Sequence, residues 1–169
     1  MTKKSIFITG AGSGIGLATA QHFAQAGWRV GAYDLDDASV NPLVAEFGDE
    51  RIVAGAIDVT DDASVATAIS QFSDATNGRM DVLFNSAGVL QIGRFAEVSL
   101  TEHLQHLQVN TGGIMRVSLA ALPLLKSTSN SRLINMSSAS ADYGTPDFAS
   151  YSASKFAVRG LTEALNLEW

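Results

Sequence analysis

Tyr151 and Lys155 stand four residues apart, with Ser138 upstream of both and a glycine-rich turn, Thr9-Gly10-Ala11-Gly12-Ser13-Gly14-Ile15-Gly16, near the N-terminus. A phenol is a poor base at neutral pH, with an ordinary pKa of about 10. An ammonium beside a phenol favours its anionic form, and positions four apart share one helix face. A phenol in that setting can take the proton of an alcohol or return one to a carbonyl. Neither Tyr33 nor Tyr143 has a lysine four residues on. Ser138 adds a hydroxyl able to hydrogen-bond a substrate oxygen. Ser137 is its neighbour and competitor, on the opposite strand face.

The glycine turn supplies a second chemistry. Glycine tolerates positive φ and lets backbone approach a ligand closely. A helix opening there presents unpaired N–H groups and its positive dipole end to a pyrophosphate. Gly10, Ser13, Gly14, Ile15 and Gly16 are the candidate contacts, and they need no basic patch. Asp34 follows the turn by roughly 20 residues, where an acidic side chain can accept hydrogen bonds from an adenosine ribose. Its carboxylate would repel a 2′-phosphate, and Ser13 and Leu35 offer no compensating cation. NAD(H) is therefore expected in preference to NADP(H). The plain alternatives are an ordinary strand-to-helix turn and, for Asp34, a capping aspartate beside Asp36 and Asp37.

The elements that must position these groups alternate between short apolar strands and amphipathic helices, as in parallel α/β folds. Strands are expected at Ser5–Thr9, Arg29–Tyr33, Arg51–Ile57, Asp81–Asn85 and Arg132–Ser137. Helices are expected at Gly14–Ala26, at Asp36–Phe47 with Pro42 early in it, and at Asp61–Thr76, where Ala63, Val65, Ala66, Ile69 and Phe72 keep near-helical spacing. Ser99-Leu100-Thr101-Glu102 reads as a capping box. It opens a long helical region that runs toward Lys126, with a bend near Thr111–Gly113. Phe148–Trp169 is the last helix.

The chain has 169 residues, 46% of them apolar and 17% charged, with a net charge of −6. That composition suits one domain, residues 1–169, with a substantial core. The acidic balance argues against nucleic acid as a partner. There is no cysteine, so disulfides and thiolate metal sites are excluded. The apolar run after Lys4 is too short for a signal peptide. The stretch Leu119–Leu125 contains Pro123 and falls far short of a membrane span. A soluble, cytoplasmic protein is expected. His22, His103 and His106 form no paired metal pattern, and a solvated surface role is expected for each, with no metal site. No Gly-x-Ser-x-Gly elbow and no Walker lysine is present. Met115, Leu119, Leu122 and Leu125 are read as helix core or a subunit contact.

The turn departs from the generic G-x-G-x-x-G spacing. With Thr9 before it, and with the motifs that follow in order, the chain resembles the short-chain dehydrogenase/reductase family along its whole length. That family's turn has the form Thr-Gly-x-x-x-Gly-x-Gly. Asp58-Val59 resembles its Asp-Val after the third strand, which touches adenine. Asn85-Ser86-Ala87-Gly88 resembles its Asn-Asn-Ala-Gly segment, with Ser86 replacing the second Asn. Asn110-Thr111-Gly112-Gly113, Ser137-Ser138 and Tyr151-Ser152-Ala153-Ser154-Lys155 complete the set.

The resemblance implies a Rossmann-like, doubly wound parallel sheet in three α/β/α layers. It implies NAD(H) held by the turn, Asp34, Asp58, Val59, Asn85, Ala87, Gly88, Tyr151 and Lys155. It makes Tyr151 the acid/base, Lys155 its tuner and a ribose ligand, Ser138 the donor to the substrate oxygen, and Asn110 the support of a water leading to Lys155. Relatives also imply a homotetramer or dimer built by the helix after Ser99 and the last helix. The expected reaction interconverts a secondary alcohol and a ketone. A cofactor-binding protein without catalysis, or an inactive fragment of such an enzyme, is the second reading. An epimerase or dehydratase on the same Tyr/Lys chemistry is a third. The chain is expected to be the N-terminal portion of a longer parent, cut short after the helix that follows strand five. An apolar fifth strand left as an open edge would invite aggregation.

Overall fold

The computed structural model describes residues 3–169. Five strands, β1 (Ser5–Thr9), β2 (Arg29–Asp34), β3 (Ile52–Ala56), β4 (Val82–Asn85) and β5 (Arg132–Asn135), form one sheet in the order β3-β2-β1-β4-β5. Every pairing is parallel. Parallel strands need crossovers, and helices supply them: α1 (Gly14–Gln25), α2 (Asn41–Phe47), α3 (Asp62–Thr76), α4 (Leu100–Leu107), α5 (Ile114–Ser127) and α6 (Ala149–Glu168).

The sequence pattern explains the two cores. All five residues of β1 and all four of β4 are buried, as strands covered on both faces must be. Successive side chains alternate between faces. Ile6 and Ile8 join Ala20, Ala24, Val30 and Leu43 in one cluster. Phe7 joins Tyr33, Val65, Phe72, Leu83 and Val117 in the other. Burying a large aliphatic or aromatic side chain stabilises by about 1.5–3 kcal/mol, so these two clusters outweigh any surface contact. β5 is different. It is a sheet edge, and Ile134 on it is 47% exposed.

Three expectations shift. The stretch expected as one helix over Asp36–Phe47 divides into a 3₁₀ turn, Asp37–Val40, and α2. The Asp36 side chain accepts from the Ala38 N–H and so starts the first turn. Pro42, which lacks an N–H, fits only the opening of a new helix and sits in the first turn of α2. The bend expected near Thr111–Gly113 is a π-helical segment, Gln108–Gly113, between α4 and α5. It turns Asn110 and Thr111 inward, and both are buried. In α5, Leu125 is buried, whereas Met115 and Leu119 point outward. The capping box is present, with the Ser99 hydroxyl accepting from the Glu102 N–H and Glu102 accepting from the Ser99 N–H.

Among the described residues, four buried side-chain atoms lack a hydrogen-bond partner: Arg29 Nε, the Tyr33 hydroxyl, Asn85 Oδ1 and Ser152 Oγ. Tyr33 is fully buried and stacks on Phe7 at 4.6 Å, but its hydroxyl has no partner. Burial pushes its pKa above the ordinary phenol value, against a smaller opposing pull from Arg29. An unsatisfied buried polar group costs about 1–3 kcal/mol. Tyr33→Phe is therefore expected to leave the unfolding free energy unchanged or raise it by about 1 kcal/mol. Urea denaturation checks this, and a clear loss of stability would reveal a partner for the hydroxyl.

Candidate active site

The chain order reverses at β1, with β2 and β3 on one side and β4 and β5 on the other. Open α/β sheets bind ligands outside the carboxyl ends of the strands at such a switch point. A groove of about 700 Å³ lies there. Segments following all five strands line it: Gly10 to Gly16 after β1, Asp34 and Leu35 at the end of β2, Ile57 to Thr60 after β3, Ser86 to Val89 after β4, and Met136 after β5. Gly10, Ser13, Gly14, Ile15, Gly16, Asp34, Asp58, Val59, Ala87 and Gly88 all reach it. Gln105, Gln108 and Val109, on the far wall, carry no motif and escaped the sequence reading.

The turn is closed on itself by two glycines. A Cβ on Gly16 would stand 2.0 Å from the Gly10 carbonyl oxygen. One on Gly10, whose φ is +71°, would stand 2.9 Å from the Ala87 backbone. Gly14, at φ +52°, faces open space instead. Ser13 makes no side-chain cap on α1, so the leading N–H groups of the helix stay available to a ligand. A closed turn, an uncapped helix start and a groove reaching Asp34 fit the pyrophosphate and ribose of a dinucleotide.

Asp34 is also part of the turn. Its Oδ2 accepts from the Gly12 N–H at 2.8 Å. Asp58 uses Oδ1 locally, accepting from the Thr60 N–H and Oγ1–H at 2.8 and 2.7 Å. Asn85, Asn110, Ser138, Tyr151 and Lys155 do not line the groove. Asn85 is 1% exposed. Its Nδ2 donates to Ser118 Oγ at 3.2 Å and to Asn135 Oδ1 at 2.9 Å, and Asn135 donates on to Thr162 Oγ1 at 3.0 Å. Asn85 therefore ties α5, β4, β5 and α6 together. The register sets Asn85 directly opposite Asn135, which makes that tie possible.

Tyr151 and Lys155 lie outside the groove lining but beside it, where Lys155 reaches Met136 and Gly88. Tyr151 is the third residue of α6. Lys155 Nζ lies 5.6 Å from the centre of the Tyr151 ring and donates to the Met136 carbonyl at 2.8 Å. It also sits close to Gly88, at 3.9 Å from where a Cβ would be. Lys155 is 4% exposed, and burial pushes its amine below the ordinary lysine value. The two serines after β5 separate cleanly. Ser137 Oγ donates to the Lys155 carbonyl at 3.3 Å, which docks α6 on the sheet. Ser138 Oγ accepts from the Ser140 N–H at 3.2 Å. It caps the 3₁₀ turn Ala139–Ala141, against which α6 packs.

Asn110 is completely buried and clamps the loop after β4. Its Oδ1 accepts from the Val89 N–H at 2.8 Å, and its Nδ2 donates to the Val89 carbonyl at 3.0 Å and to Ser154 Oγ at 3.1 Å. Asn110→Ala would strand the Val89 backbone groups. A loss of about 2–4 kcal/mol of unfolding free energy is expected, read by chemical denaturation.

The expectation of three solvated histidines holds only for His22, which is exposed. His106 is 1% exposed. Its Nε2 accepts from the Gln91 N–H at 2.9 Å, its Nδ1 lies 2.9 Å from Ser150 Oγ, and its ring meets Tyr151 edge-on at 6.0 Å. His103 is partly buried, with Nδ1 2.7 Å from the same Ser150 Oγ and Nε2 2.9 Å from the Phe95 carbonyl. The loop over α4 and the start of α6 covers both rings, a long-range packing that helix periodicity does not show. Among the described residues, no group of three or more His, Asp or Glu side chains is arranged to hold a metal ion. No helix among them is long and apolar enough to cross a membrane.

Sheet order and groove define a doubly wound α/β domain of the dinucleotide-binding class. The family model described as short chain dehydrogenase matches residues 4–169, and the chain belongs to that family. It is similar to an oxidoreductase UcpA of Salmonella typhimurium, with 36% identity over 172 residues, covering 100% of this chain and 65% of that protein. A D-threitol dehydrogenase of Mycolicibacterium smegmatis is 35% identical over 168 residues, covering 98% of this chain and 64% of its own length. Among solved structures, the sorbitol-6-phosphate 2-dehydrogenase SrlD from Erwinia amylovora superposes with a TM-score of 0.88 at 30% identity, covering 96% of this chain and 65% of that one. The chain thus spans about 65% of the length of such relatives.

Proposed function

We propose that the protein is an NAD(H)-dependent oxidoreductase that interconverts a secondary alcohol and a ketone. One observation carries this reading: the Lys155 ammonium lies 5.6 Å from the Tyr151 ring and bonds Met136, which lines the groove that reaches Asp34. The family membership supports it, as do two relatives whose names describe dehydrogenation of polyols or a sugar-alcohol phosphate.

The N–H groups opening α1 hold the pyrophosphate, and Asp34 takes the adenosine ribose. Bound NAD(H) supplies the hydride acceptor or donor. The chain's own residues handle the proton and the charge. In oxidation the Tyr151 oxygen takes the alcohol proton, and in reduction the Tyr151 O–H protonates the carbonyl oxygen. Ser138 donates its O–H to the same substrate oxygen and stabilises charge as it develops. Lys155, anchored on Met136, keeps a positive charge beside the phenol and holds the nicotinamide ribose. Asn110 keeps the loop after β4 in register with α6. A homodimer or homotetramer and a cytoplasmic location complete the proposal.

A panel of secondary alcohols and ketones, assayed by nicotinamide absorbance with NAD(H) and NADP(H), tests the reading. Turnover with NAD(H) at least about 100-fold better than with NADP(H) is expected, from charge repulsion at Asp34. Cofactor binding with no turnover on any member of the panel would instead make this a binding protein. Tightly retained NAD with no net redox change would point to an epimerase or dehydratase.

A further inference from the structure

We infer that His106, Ser150 and His103 form a directed hydrogen-bond chain that fixes the loop of residues 89–95 against the start of α6, making His106 a positioning residue for the substrate side of the site. The inference rests on the alcohol/ketone reading only in naming that side.

The loop is anchored at every second residue. Val89 is bound by Asn110 through both its N–H and its carbonyl. The Gln91 N–H donates to His106 Nε2. The Gly93 N–H donates to the Asp147 carbonyl at 3.0 Å, two residues before α6. The Phe95 carbonyl is met by His103 Nε2, and the Phe95 ring stacks on His103 at 4.5 Å. This is the segment that runs on from Gly88, beside Lys155. Any change in its path moves a wall next to the Tyr151–Lys155 pair.

Proton positions follow from the fixed partners. A backbone N–H can only donate, so His106 Nε2 is unprotonated and the ring carries its hydrogen on Nδ1. That hydrogen is donated to Ser150 Oγ. A carbonyl can only accept, so His103 carries its hydrogen on Nε2. The Ser150 O–H then donates to His103 Nδ1, the one acceptor left. With His103 uncharged, the two rings hold opposite tautomers, and each donor meets an acceptor. Ser150 is the residue before Tyr151, so the chain ends on the first turn of the helix that carries the acid/base.

A proton added to His106 would set N–H against the Gln91 N–H, and one added to His103 Nδ1 would oppose the Ser150 O–H. The titratable groups facing His106 are Glu102 and His103 on α4 and Tyr151 on α6, while the loop meets it through the Gln91 backbone. Burial pushes its pKa below the ordinary histidine value, and a charge on His103 would push the same way, against the opposite pull of Glu102. Burial therefore favours the neutral form of His106.

Imidazole nitrogen NMR at pH 7 on the intact protein is expected to find His106 protonated at Nδ1 only and His103 at Nε2 only. His106→Phe is expected to raise KM for the alcohol about five-fold or more, to leave kcat within about three-fold, and to leave the NAD Kd unchanged. Amide exchange at Gln91 should quicken in the same variant. His106→Gln, whose amide oxygen can take the place of Nε2, should recover most of the KM and the slow exchange. His106 protonated at Nε2, or a His106→Phe variant with unchanged KM and unchanged Gln91 exchange, would overturn the inference. If His106→Phe does not fold, the tautomers of the unmodified protein and the His106→Gln kinetics still decide. If the unmodified protein shows no turnover, the proposed function fails, while tautomers and amide exchange continue to test the chain.

Discussion

Tyr151→Phe is expected to lower kcat/KM for the alcohol by about 10³-fold or more, in the upper part of the range for losing a positioned acid/base. The NAD(H) Kd should change by less than about three-fold, because only a hydroxyl is removed. The ring remains, with its edge contacts to His106 at 6.0 Å and Phe148 at 6.1 Å and its place beside Lys155. A folded variant with an empty proton-transfer position is the outcome. Initial rates followed by nicotinamide absorbance, with a parallel fluorescence titration of cofactor, measure both halves. Residual turnover within ten-fold of the unmodified protein would remove Tyr151 from its role.

Lys155→Met is expected to separate activity from stability. Turnover should fall by about 10²–10³-fold, because the charge beside the phenol and the ribose donor go together. Stability should not follow. Lys155 is 4% exposed with Met136 as the acceptor of its ammonium, and the amine sits below its ordinary value because of burial. A charge taken out of water costs several kcal/mol, whereas a charge-assisted hydrogen bond returns about 1.5–3 kcal/mol. The unfolding free energy of Lys155→Met should therefore be unchanged or up to about 2 kcal/mol higher. The sign with pH follows from the lowered folded value. Between that value and the unfolded one near about 10.4, the unfolded chain holds more protons, so stability rises with pH. Below the folded value the full burial penalty is present. Lys155→Met should flatten that rise. A loss of more than about 2 kcal/mol at neutral pH would show that the ammonium is a net stabiliser and would remove the charge-burial account.

The sequence was most legible where a residue's partner is near in the chain or where a period is long. The apolar runs of β1 and β4 and the capping box at Ser99 lie where local pattern placed them, give or take a residue. The Tyr151–Lys155 pair is a helical i,i+4 relation, and the groove gathers the glycine turn with Asp34, Asp58 and Gly88 because parallel strands deliver their following loops to one edge. The burial of His106 and the cross-sheet bond of Asn85 were illegible for a common reason. Asn85 bonds across the sheet to Asn135, fifty positions on, and His106 bonds to Ser150, forty-four positions on. One local signal pointed toward His106: it lies four residues before Asn110, on the helix face that the site already claimed.

By itself the amino-acid order determined the α/β alternation, the glycine turn between β1 and α1 and the Tyr151–Lys155 spacing, since each depends on spacing along one strand or one helix. Tertiary structure alone decided that Ser137 docks α6 while Ser138 caps the next turn, that Asn85 ties strands together, and that two histidines meet on one serine hydroxyl. Those outcomes depend on which donors meet which acceptors once water is excluded, and only packing brings such partners within about 3 Å.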